Sequence, residues 1–457
     1  MQAMDNTTTD PALAARLREA FIYTFPVHDL AQVRWQITQN PQNRNRVPVN
    51  GLLHYRRLLD HRARTVTQPN NDTLYSLSYL ALHGGPMLLR LPDMGERYYS
   101  IALLDIFTNN FACIGNRTTG SQAAEFLLAG PDWSGDAPAG ARLIRCPSND
   151  VWLLGRLLVD GEHDLQAVHA LQDAIRLEPV GSRVGTRVGS QEGPQEGPQE
   201  GPQDTGGGGL LETVPDEADP ARYLDLVNEV LGRNPVPDDE RALVASFAEV
   251  GIRPGHRHAY GDLPTPIQQA WRALLPALRK ELARTPGFGN GSESGPWQSG
   301  PDHLGNFGKD YTYRAHVSLI GLGALERAEA IYATCVNDAA GERLDGARAY
   351  RLHIPPAMPV DAFWSLSMYE FAPDGRRFFT ENPIGRYTIG DRTPGLQVNA
   401  DGSIDLWLQH ARPEPAREAN WLPAPAGRFS LTLRYYHPRE ALLSRRFEQP
   451  APEPIET

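Results

Sequence analysis

Residues 65–120 hold five side chains with the chemistry of a binding or catalytic site: Asn71, Asp72, Tyr75, Asp105 and Arg117. Two carboxylates can transfer protons when one of them is desolvated, and arginine offers a planar fork of donors to a carboxylate or phosphate. We therefore take Asp72 and Asp105 as candidate catalytic residues. We expect both to converge with Arg117 on a polar ligand.

The same residues also have a structural explanation. Asn and Asp side chains commonly accept hydrogen bonds from nearby backbone amides in turns, and Asn70, Asn71 and Asp72 stand directly before a predicted strand. The sequence gives no distance between the two carboxylates. The turn and the ligand site are compatible, and both interpretations stay open.

Aromatic residues in the C-terminal third form a second group, consisting of Trp364, Tyr369, Tyr387, Trp407 and Trp421. They predict either an aromatic binding platform or, because aromatic residues at strand spacing are commonly buried, part of a core. Ligand sites form preferentially in clefts between domains. We therefore expect Trp364 and Tyr369 to line the sides of a site whose base is formed by the five candidate residues of segment 65–120.

No metal site is predicted. His256 and His258 lie on one side of an extended segment, but no third or fourth ligand stands nearby. The cysteines, Cys113, Cys146 and Cys335, are odd in number and widely spaced, which indicates neither a disulfide framework nor a thiolate zinc site. The sequence identifies no cofactor, because it has no phosphate-binding glycine loop, nucleophile elbow or zinc-helix motif.

The length of 457 residues predicts two or three domains, and the net charge of -11 argues against nucleic acid or an anionic membrane as the main partner. The first residues lack the pattern of a secretory signal, and no apolar run approaches the length of a membrane span. We expect a soluble, cytoplasmic protein that binds a small polar molecule. Assembly into a homo-oligomer is the other partner that we consider.

In the N-terminal part, Asp10 caps a predicted helix over residues 10–23 that Pro26 should end. Short apolar runs separated by turn residues then predict one antiparallel meander. Its strands cover residues 87–92, 97–104, 110–114, 143–146 and 151–159. A helix over residues 164–177 follows.

The middle of the chain is helical after a biased insert. Residues 181–209 contain QEGP three times and then four glycines, and such a composition buries too little apolar surface to become ordered. Helical spacing of apolar residues then predicts four helices. They cover residues 219–231, 238–250, 265–283 and 311–332.

The last part returns to β structure. Alternation with period two predicts strands at residues 350–354, 363–369, 387–389, 403–409 and 428–435. Arg434 lies within the last of these strands, where it must either face solvent or be paired. The tail, residues 449–457, is rich in Pro and Glu and is expected to fray.

Two sets of short phrases carry a family resemblance. The first set resembles the bacterial domain of unknown function 1254 (DUF1254): PNNDTLYS at 69–76, GPMLLRLPD at 85–93, RYYSIALLD at 97–105 and IGNRTTG at 114–120. The second set resembles DUF1214: FWSLSMYE at 363–370, NPIGRYTIG at 382–390, NADGSIDLWLQ at 399–409 and NWLPAPAGRFSLTLRYYHP at 420–438. Together the resemblance covers roughly residues 20–450.

The resemblance implies a mainly β fold with a helical layer (α+β): two antiparallel β-sandwich-like domains with helices packed around and between them. It implies no established chemistry. We expect a DUF1254-like domain at residues 20–180, the low-complexity insert at 181–209, a helical connection at 210–335 and a DUF1214-like domain at 345–450. The expected function is a small-molecule enzyme or binding protein with a polar site at the junction of the β domains; the alternative is a non-catalytic oligomeric assembly protein.

Overall fold

The computed structural model describes residues 10–64, 66–180, 188–191, 209–284, 291–292, 295–373 and 375–455. Most of the predicted insert at 181–209 lies outside these residues. Among the described helices, none is both long enough and apolar enough to cross a bilayer.

The described chain begins with the long helix α1 (Pro11–Thr38). Asp10 caps it by accepting a hydrogen bond from the Ala12 amide at 3.2 Å, and Pro11 stands where the helix needs no amide donor. The prediction that Pro26 ends the helix is wrong, because α1 continues through it. Proline removes one backbone hydrogen bond there, and the burial of Pro26 with its neighbours on both sides offsets that loss.

The N-terminal half forms two sheets. Its strands are β1 (Leu52–Tyr55), β2 (Thr73–Ala81), β3 (Met87–Leu91), β4 (Tyr99–Leu104), β5 (Asn110–Gly115), β6 (Ala124–Ala129), β7 (Arg142–Arg145), β8 (Asp150–Leu158), β9 (Arg176–Pro179) and β10 (Val188–Gln191). The inner N-terminal sheet has the order β10-β1-β2-β8-β4-β5, and the outer one has the order β7-β6-β3-β9. The predicted single meander is therefore wrong, because its strands divide between two sheets. Helix α2 (Leu165–Ala174) ends earlier than predicted and leads into β9.

The helical layer packs against α1. It contains α3 (Pro220–Arg233), α4 (Arg241–Ser246), α5 (Thr265–Arg284) and α6 (Tyr311–Gly321). Their apolar faces share one core with α1 and with Phe107, which lies in the turn after β4. Helix α6 is shorter than predicted, since Gly323 has a left-handed φ of 81° and residues 330–335 form a strand.

The C-terminal half also forms two sheets. Its elements are β11 (Gly291–Ser292), β12 (Trp297–Ser299), β13 (Ala330–Cys335), β14 (Ala349–Ile354), β15 (Val360–Phe371), β16 (Arg377–Phe378), β17 (Thr388–Gly390), β18 (Ile404–Gln409), β19 (Trp421–Pro423), β20 (Phe429–Pro438), α7 (Glu440–Leu443) and β21 (Glu453–Ile455). The inner C-terminal sheet has the order β11-β12-β13-β20-β15-β16, with β17 also on β15, and the outer one has the order β19-β18-β14-β21. The tail expected to fray pairs with β14.

Three apolar cores run between these sheets. One lies between the two N-terminal sheets, a second lies between the two C-terminal sheets, and a third joins the inner sheets to each other. The molecule is thus two β-sandwiches stacked on their inner sheets, with helices beside them. This arrangement confirms the expected fold class, whereas the exact domain limits stay a prediction.

Candidate functional site

The inner C-terminal sheet presents a polar surface to the N-terminal half. Along β15 and β20, Leu366 and Leu433 point into the core shared with the outer C-terminal sheet. Strand alternation therefore turns Ser365, Ser367 and Arg434 to the opposite face, toward the inner N-terminal sheet. All three are buried. Both faces of this sheet are covered, and one of them is polar.

The segment before β2 binds to this polar face. The Tyr369 hydroxyl donates to the Pro69 carbonyl at 2.7 Å, the Asn70 amide donates to the Tyr436 hydroxyl at 3.0 Å, and the Ser365 hydroxyl donates to Asp72 Oδ2 at 2.7 Å. These contacts join residues that are some 300 positions apart in the chain. We call the contacts of residues 69–72 with the inner C-terminal sheet the clamp.

Arg434 lies at the centre of the clamp. Its guanidinium donates to the Ser367 hydroxyl at 2.6 Å and to the Tyr369 hydroxyl at 2.7 Å. Burial raises the pKa of Asp72, and the positive charge of Arg434 opposes that rise. Burial also disfavours the guanidinium, but its polar surroundings, Asp72 included, more than compensate and raise the pKa of Arg434. The two buried groups stabilise each other's charges.

The structure brings several of the predicted site residues to this junction. Asp72 and Tyr369 belong to the clamp, and Tyr75 lies nearby with the Arg156 guanidinium 5.3 Å from its ring centre. Asn71 turns away and donates to the Leu59 carbonyl at 2.5 Å. The turn interpretation also applies, because the Asn70 side chain accepts a hydrogen bond from the Asp72 amide at 2.6 Å.

Asp105 and Trp364 lie elsewhere. Thr73, which follows Asp72, pairs with Leu158 at one end of β8. Leu104, which precedes Asp105, pairs with Trp152 near the other end. The two carboxylates therefore lie at opposite ends of β8. Asp105 instead accepts hydrogen bonds from the Phe107 and Asn109 amides, as a turn residue does. Trp364 points into the core of the C-terminal sandwich, because it alternates with Ser365 along β15.

The other C-terminal aromatic residues do not form a platform. Tyr369 and Trp421 are fully buried, and Trp407 is covered by the guanidinium of Arg417, 4.1 Å from a ring centre. Tyr387 accepts or donates a hydrogen bond at 2.7 Å with His61. As for a metal, the described part of the chain contains no group of three or more His, Cys, Asp or Glu side chains that could hold one.

A cluster around Glu329, which sequence reasoning missed, lies at the edge of the same junction. The fully buried carboxylate accepts hydrogen bonds from Arg117 Nε at 2.7 Å and from the Tyr98 hydroxyl at 3.0 Å. His437 Nε2 lies 3.2 Å from the same carboxylate. Arg117 also binds Glu326 at 2.6 Å and is 29 % exposed, so the cluster reaches solvent. Tyr98 and Arg117 come from the N-terminal half, whereas Glu326, Glu329 and His437 come from the C-terminal half.

The backbone at His437 has an unusual conformation. Its φ is 49°, a left-handed value that non-glycine residues seldom adopt, and its amide donates to the Glu329 carbonyl at 3.0 Å. The partner strand β15 is irregular at this level, with a register shift between Val360 and Phe363. Such strain and such bulges are concentrated at functional sites. Nothing in the spacing of Tyr-Tyr-His-Pro at 435–438 reveals them.

The Glu329 cluster has a defined electrostatic state. Burial raises the pKa of Glu329, but the hydrogen bonds from His437 and Arg117 outweigh it and leave the pKa below its ordinary value. Glu329 is therefore a carboxylate at neutral pH. Burial strongly raises the pKa of the neighbouring Tyr98 hydroxyl and of the Cys113 thiol, so both stay protonated. A carboxylate that holds one imidazole nitrogen leaves the other available as a base.

Comparisons with known proteins give the same two domains. The model described as "Protein of unknown function (DUF1254)" matches residues 49–179, and the one described as "Protein of unknown function (DUF1214)" matches residues 329–440. No curated protein matches this chain.

Among solved structures, the crystal structure of the VPA0106 protein from Vibrio parahaemolyticus has a TM-score of 0.71 at 22% identity, covering 97% of this chain and 100% of that one. A putative uncharacterized protein from Burkholderia cenocepacia has a TM-score of 0.42 at 12% identity, covering 99% of this chain and 91% of that one. The Vibrio protein shares the fold. The family matches agree with the phrases at 69–120 and 363–438, and the chain therefore belongs to the proteins that join a DUF1254 domain to a DUF1214 domain.

Proposed function

We propose that this protein is an enzyme acting on a small polar molecule at the edge of the junction between its two β domains, with His437 as the general base. The observation that carries the proposal is the fully buried Glu329 carboxylate within 3.2 Å of His437 Nε2. A carboxylate in this position fixes the tautomer and orientation of an imidazole and stabilises the imidazolium that forms.

The proton transfer follows from these contacts. With Glu329 ionised, His437 carries its proton on Nε2 and donates it to the carboxylate, an assignment made from the hydrogen bond. Nδ1 then has the free lone pair and accepts a proton from water or from the substrate. Arg117 and Tyr98 hold Glu329 in place from the N-terminal domain. The base and its carboxylate both belong to the C-terminal half, and the N-terminal half contributes the two donors that fix the carboxylate.

The rest of the junction supports this role. The clamp fixes the inner sheets to each other through hydrogen bonds of 2.7 to 3.0 Å, so residues from the two halves keep a constant spacing. Catalytic groups need such rigid support to within about 0.5 Å. Asp72 and Tyr369 are buried in the clamp. In this proposal they are positioning residues, and the reacting groups lie at the Glu329 cluster.

The test compares wild type with His437→Gln on a panel of small esters, amides and phosphoesters. The control is His353→Gln, because His353 pairs with a carboxylate, Asp405, at 2.8 Å on the exposed surface. We expect turnover to fall by roughly 100- to 10,000-fold in His437→Gln, as for loss of a general base, and to persist in the control.

Glu329→Gln should weaken turnover and alter its pH profile, because the imidazolium loses its counter-charge. Equal turnover in wild type and His437→Gln would reject the assignment of the base. If no substrate on the panel reacts, native mass spectrometry of untagged protein searches for a retained small molecule. Retention that is unaffected by His437→Gln would also count against the site.

No observation specifically favours the assembly protein. Clustered aromatic residues would favour an assembly interface if they were exposed, but Trp364, Tyr369, Trp421 and Tyr435 are buried in the chain's own cores. Light scattering of the purified protein tests it directly. A monomer at micromolar concentration would remove this alternative.

A further inference from the structure

Arg156 is a buried cation without a counter-charge. It lies in β8 between Leu154 and Leu158, which both pack in the core that joins the inner sheets, so strand alternation turns its side chain into the junction. Its Nη2 donates to the Gly323 carbonyl at 2.7 Å, whereas its Nη1 is buried without a hydrogen-bond partner. Among the described residues, it forms no ion pair with a carboxylate.

The two buried carboxylates of the junction already have other partners. Asp72 accepts a hydrogen bond from the Ser365 hydroxyl at 2.7 Å, and Glu329 accepts one from Arg117 Nε at 2.7 Å. Arginine remains charged at every physiological pH, and a buried charge is unfavourable unless it is paired. Arg156 is only 5% exposed, so an anion brought by a ligand would supply the missing partner.

Strand pairing places Arg156 close to the proposed base. Arg156 pairs with Ser100 of β4, and Tyr98 is its diagonal neighbour on the same face, about 7–8 Å away. The Tyr98 hydroxyl lies 3.2 Å from the Ser100 hydroxyl and donates to Glu329 at 3.0 Å. The Tyr98 ring also packs against the imidazole of His437, with ring centres 5.0 Å apart. Arg156 and His437 therefore lie on either side of Tyr98.

We propose that Arg156 binds the anionic group of the substrate, a carboxylate or a phosphate, while His437 acts on another part of the same molecule. The identity of the ligand rests on the proposed function, but anion binding can be measured without turnover. Guanidinium groups bind both anions through charge-assisted hydrogen bonds, for which Nη1 is available. Tyr75, whose ring centre lies 5.3 Å from the guanidinium, is only partly buried, so the surroundings of Arg156 are not completely closed.

The experiment measures thermal unfolding in sodium phosphate, sodium acetate and sodium chloride at equal ionic strength, together with titration calorimetry. Acetamide serves as the neutral counterpart of acetate. The proteins are wild type, Arg156→Gln, His437→Gln and the control Arg90→Gln. Arg90 is exposed on the outer N-terminal sheet and pairs with Glu125 at 2.8 Å, so its replacement changes the net charge equally, away from the junction.

For wild type and Arg90→Gln, we expect phosphate or acetate, but not acetamide, to raise the Tm beyond the effect of chloride. Arg156→Gln should lower the affinity for the anion roughly 10- to 100-fold, as for loss of a hydrogen bond to a charged group. His437→Gln should bind the anion as wild type does, because the imidazole faces another part of the ligand. A response to acetate alone identifies a carboxylate group, and a response to phosphate alone identifies a phosphate group.

The proposal is overturned if wild type shows no response beyond that to chloride, or if wild type and Arg156→Gln respond equally. A crystal structure of wild type grown in phosphate keeps the test decisive if Arg156→Gln fails to fold, because a phosphate bound away from Arg156 Nη1 would also reject the proposal. Unchanged turnover in His437→Gln would reject the proposed base but not anion binding by Arg156, so the two failures can be told apart.

Discussion

Arg434 is stable inside the junction because every part of its surroundings accommodates its charge. Two hydroxyl groups accept hydrogen bonds from it, at 2.6 and 2.7 Å, and the Asp72 carboxylate binds to the same polar face through Ser365. A buried charge without such partners costs several kcal/mol. Replacing Arg434 or Asp72 should therefore lower the free energy of unfolding by more than the loss of a surface ion pair does.

Replacing Arg434 with Met removes the guanidinium but keeps most of the side-chain volume. We expect the free energy of unfolding to fall by about 3–5 kcal/mol, because two buried hydroxyl groups lose their donor and the buried Asp72 loses a nearby positive charge. Urea unfolding measures the change. Arg439→Met, on the exposed surface five residues along the chain, should change it by less than about 0.5 kcal/mol. Equal midpoints for the two variants would contradict this account of the clamp.

Asp29 on α1 should make stability depend on pH. Burial raises its pKa from 3.8 to about 6, although the hydrogen bond from Ser318 at 2.8 Å opposes the rise. The folded state then binds the proton more tightly than the unfolded state between those values, so wild-type stability falls as pH rises from about 4 to 6 and levels off above. This penalty is absent in Asp29→Asn.

The measurement is urea unfolding of both proteins at pH 4.5 and pH 7. The stability of Asp29→Asn relative to wild type should increase between the two pH values. A constant difference would show that the carboxyl has the same pKa in both states, and a change in the opposite direction would show that folding lowers its pKa.

At the scale of elements, strands with regular alternation could be predicted from sequence, and elements that depend on tertiary contacts could not. The strands at 350–354 and 403–409 alternate clearly because one face of each packs on a core. Helix α1 continues past Pro26, and β21 forms in a Pro-rich tail, because distant elements cover them. The local sequence contains no information about which distant elements will bury a helix or pair with a strand.

The candidate site divides in the same way. The sequence predicts Asp72 and Tyr369 together only because ligand sites form preferentially in clefts between domains. The Glu329 cluster could not be predicted, because Glu329 and His437 are 108 residues apart and no spacing relates them. Trp364 cannot share a site with Tyr369, because the two are five residues apart in β15 and strand alternation places them on opposite faces.

Gly346 limits how closely two loops approach beside the outer C-terminal sheet. Its amide donates to the Gly427 carbonyl at 3.0 Å, and a Cβ at Gly346 would lie 1.7 Å from the backbone oxygen of Pro425. Gly346→Ala should therefore destabilise the protein by about 1–3 kcal/mol or more, since backbone must move. Thermal unfolding measures the loss. Gly427→Ala, with no atom within 4 Å of its Cβ, should be neutral or slightly stabilising.

At the scale of the whole molecule, the two sandwiches are joined by an apolar core and a polar clamp. The core between the inner sheets includes Tyr98 of the N-terminal half and Phe363 and Tyr436 of the C-terminal half, with ring centres 4.1 to 5.4 Å apart. Tyr436 also accepts the Asn70 hydrogen bond of the clamp. Tyr436 therefore takes part in both the apolar core and the polar clamp. Separating the two sandwiches would expose the core and break the clamp.

We expect this junction to make the whole chain unfold in one step, although it contains two domain families. When the free energy of an interface exceeds the difference between the stabilities of the domains it joins, separate unfolding is suppressed. Calorimetry should therefore show a single transition in wild type, coincident with loss of near-ultraviolet circular dichroism. Arg434→Met weakens the interface without altering either sandwich core, so its transition should broaden or split into two. Two resolved transitions already in wild type would mean that the domains are energetically independent. The support that Arg117 and Tyr98 give to Glu329 across the junction would then be too weak for the proposed function.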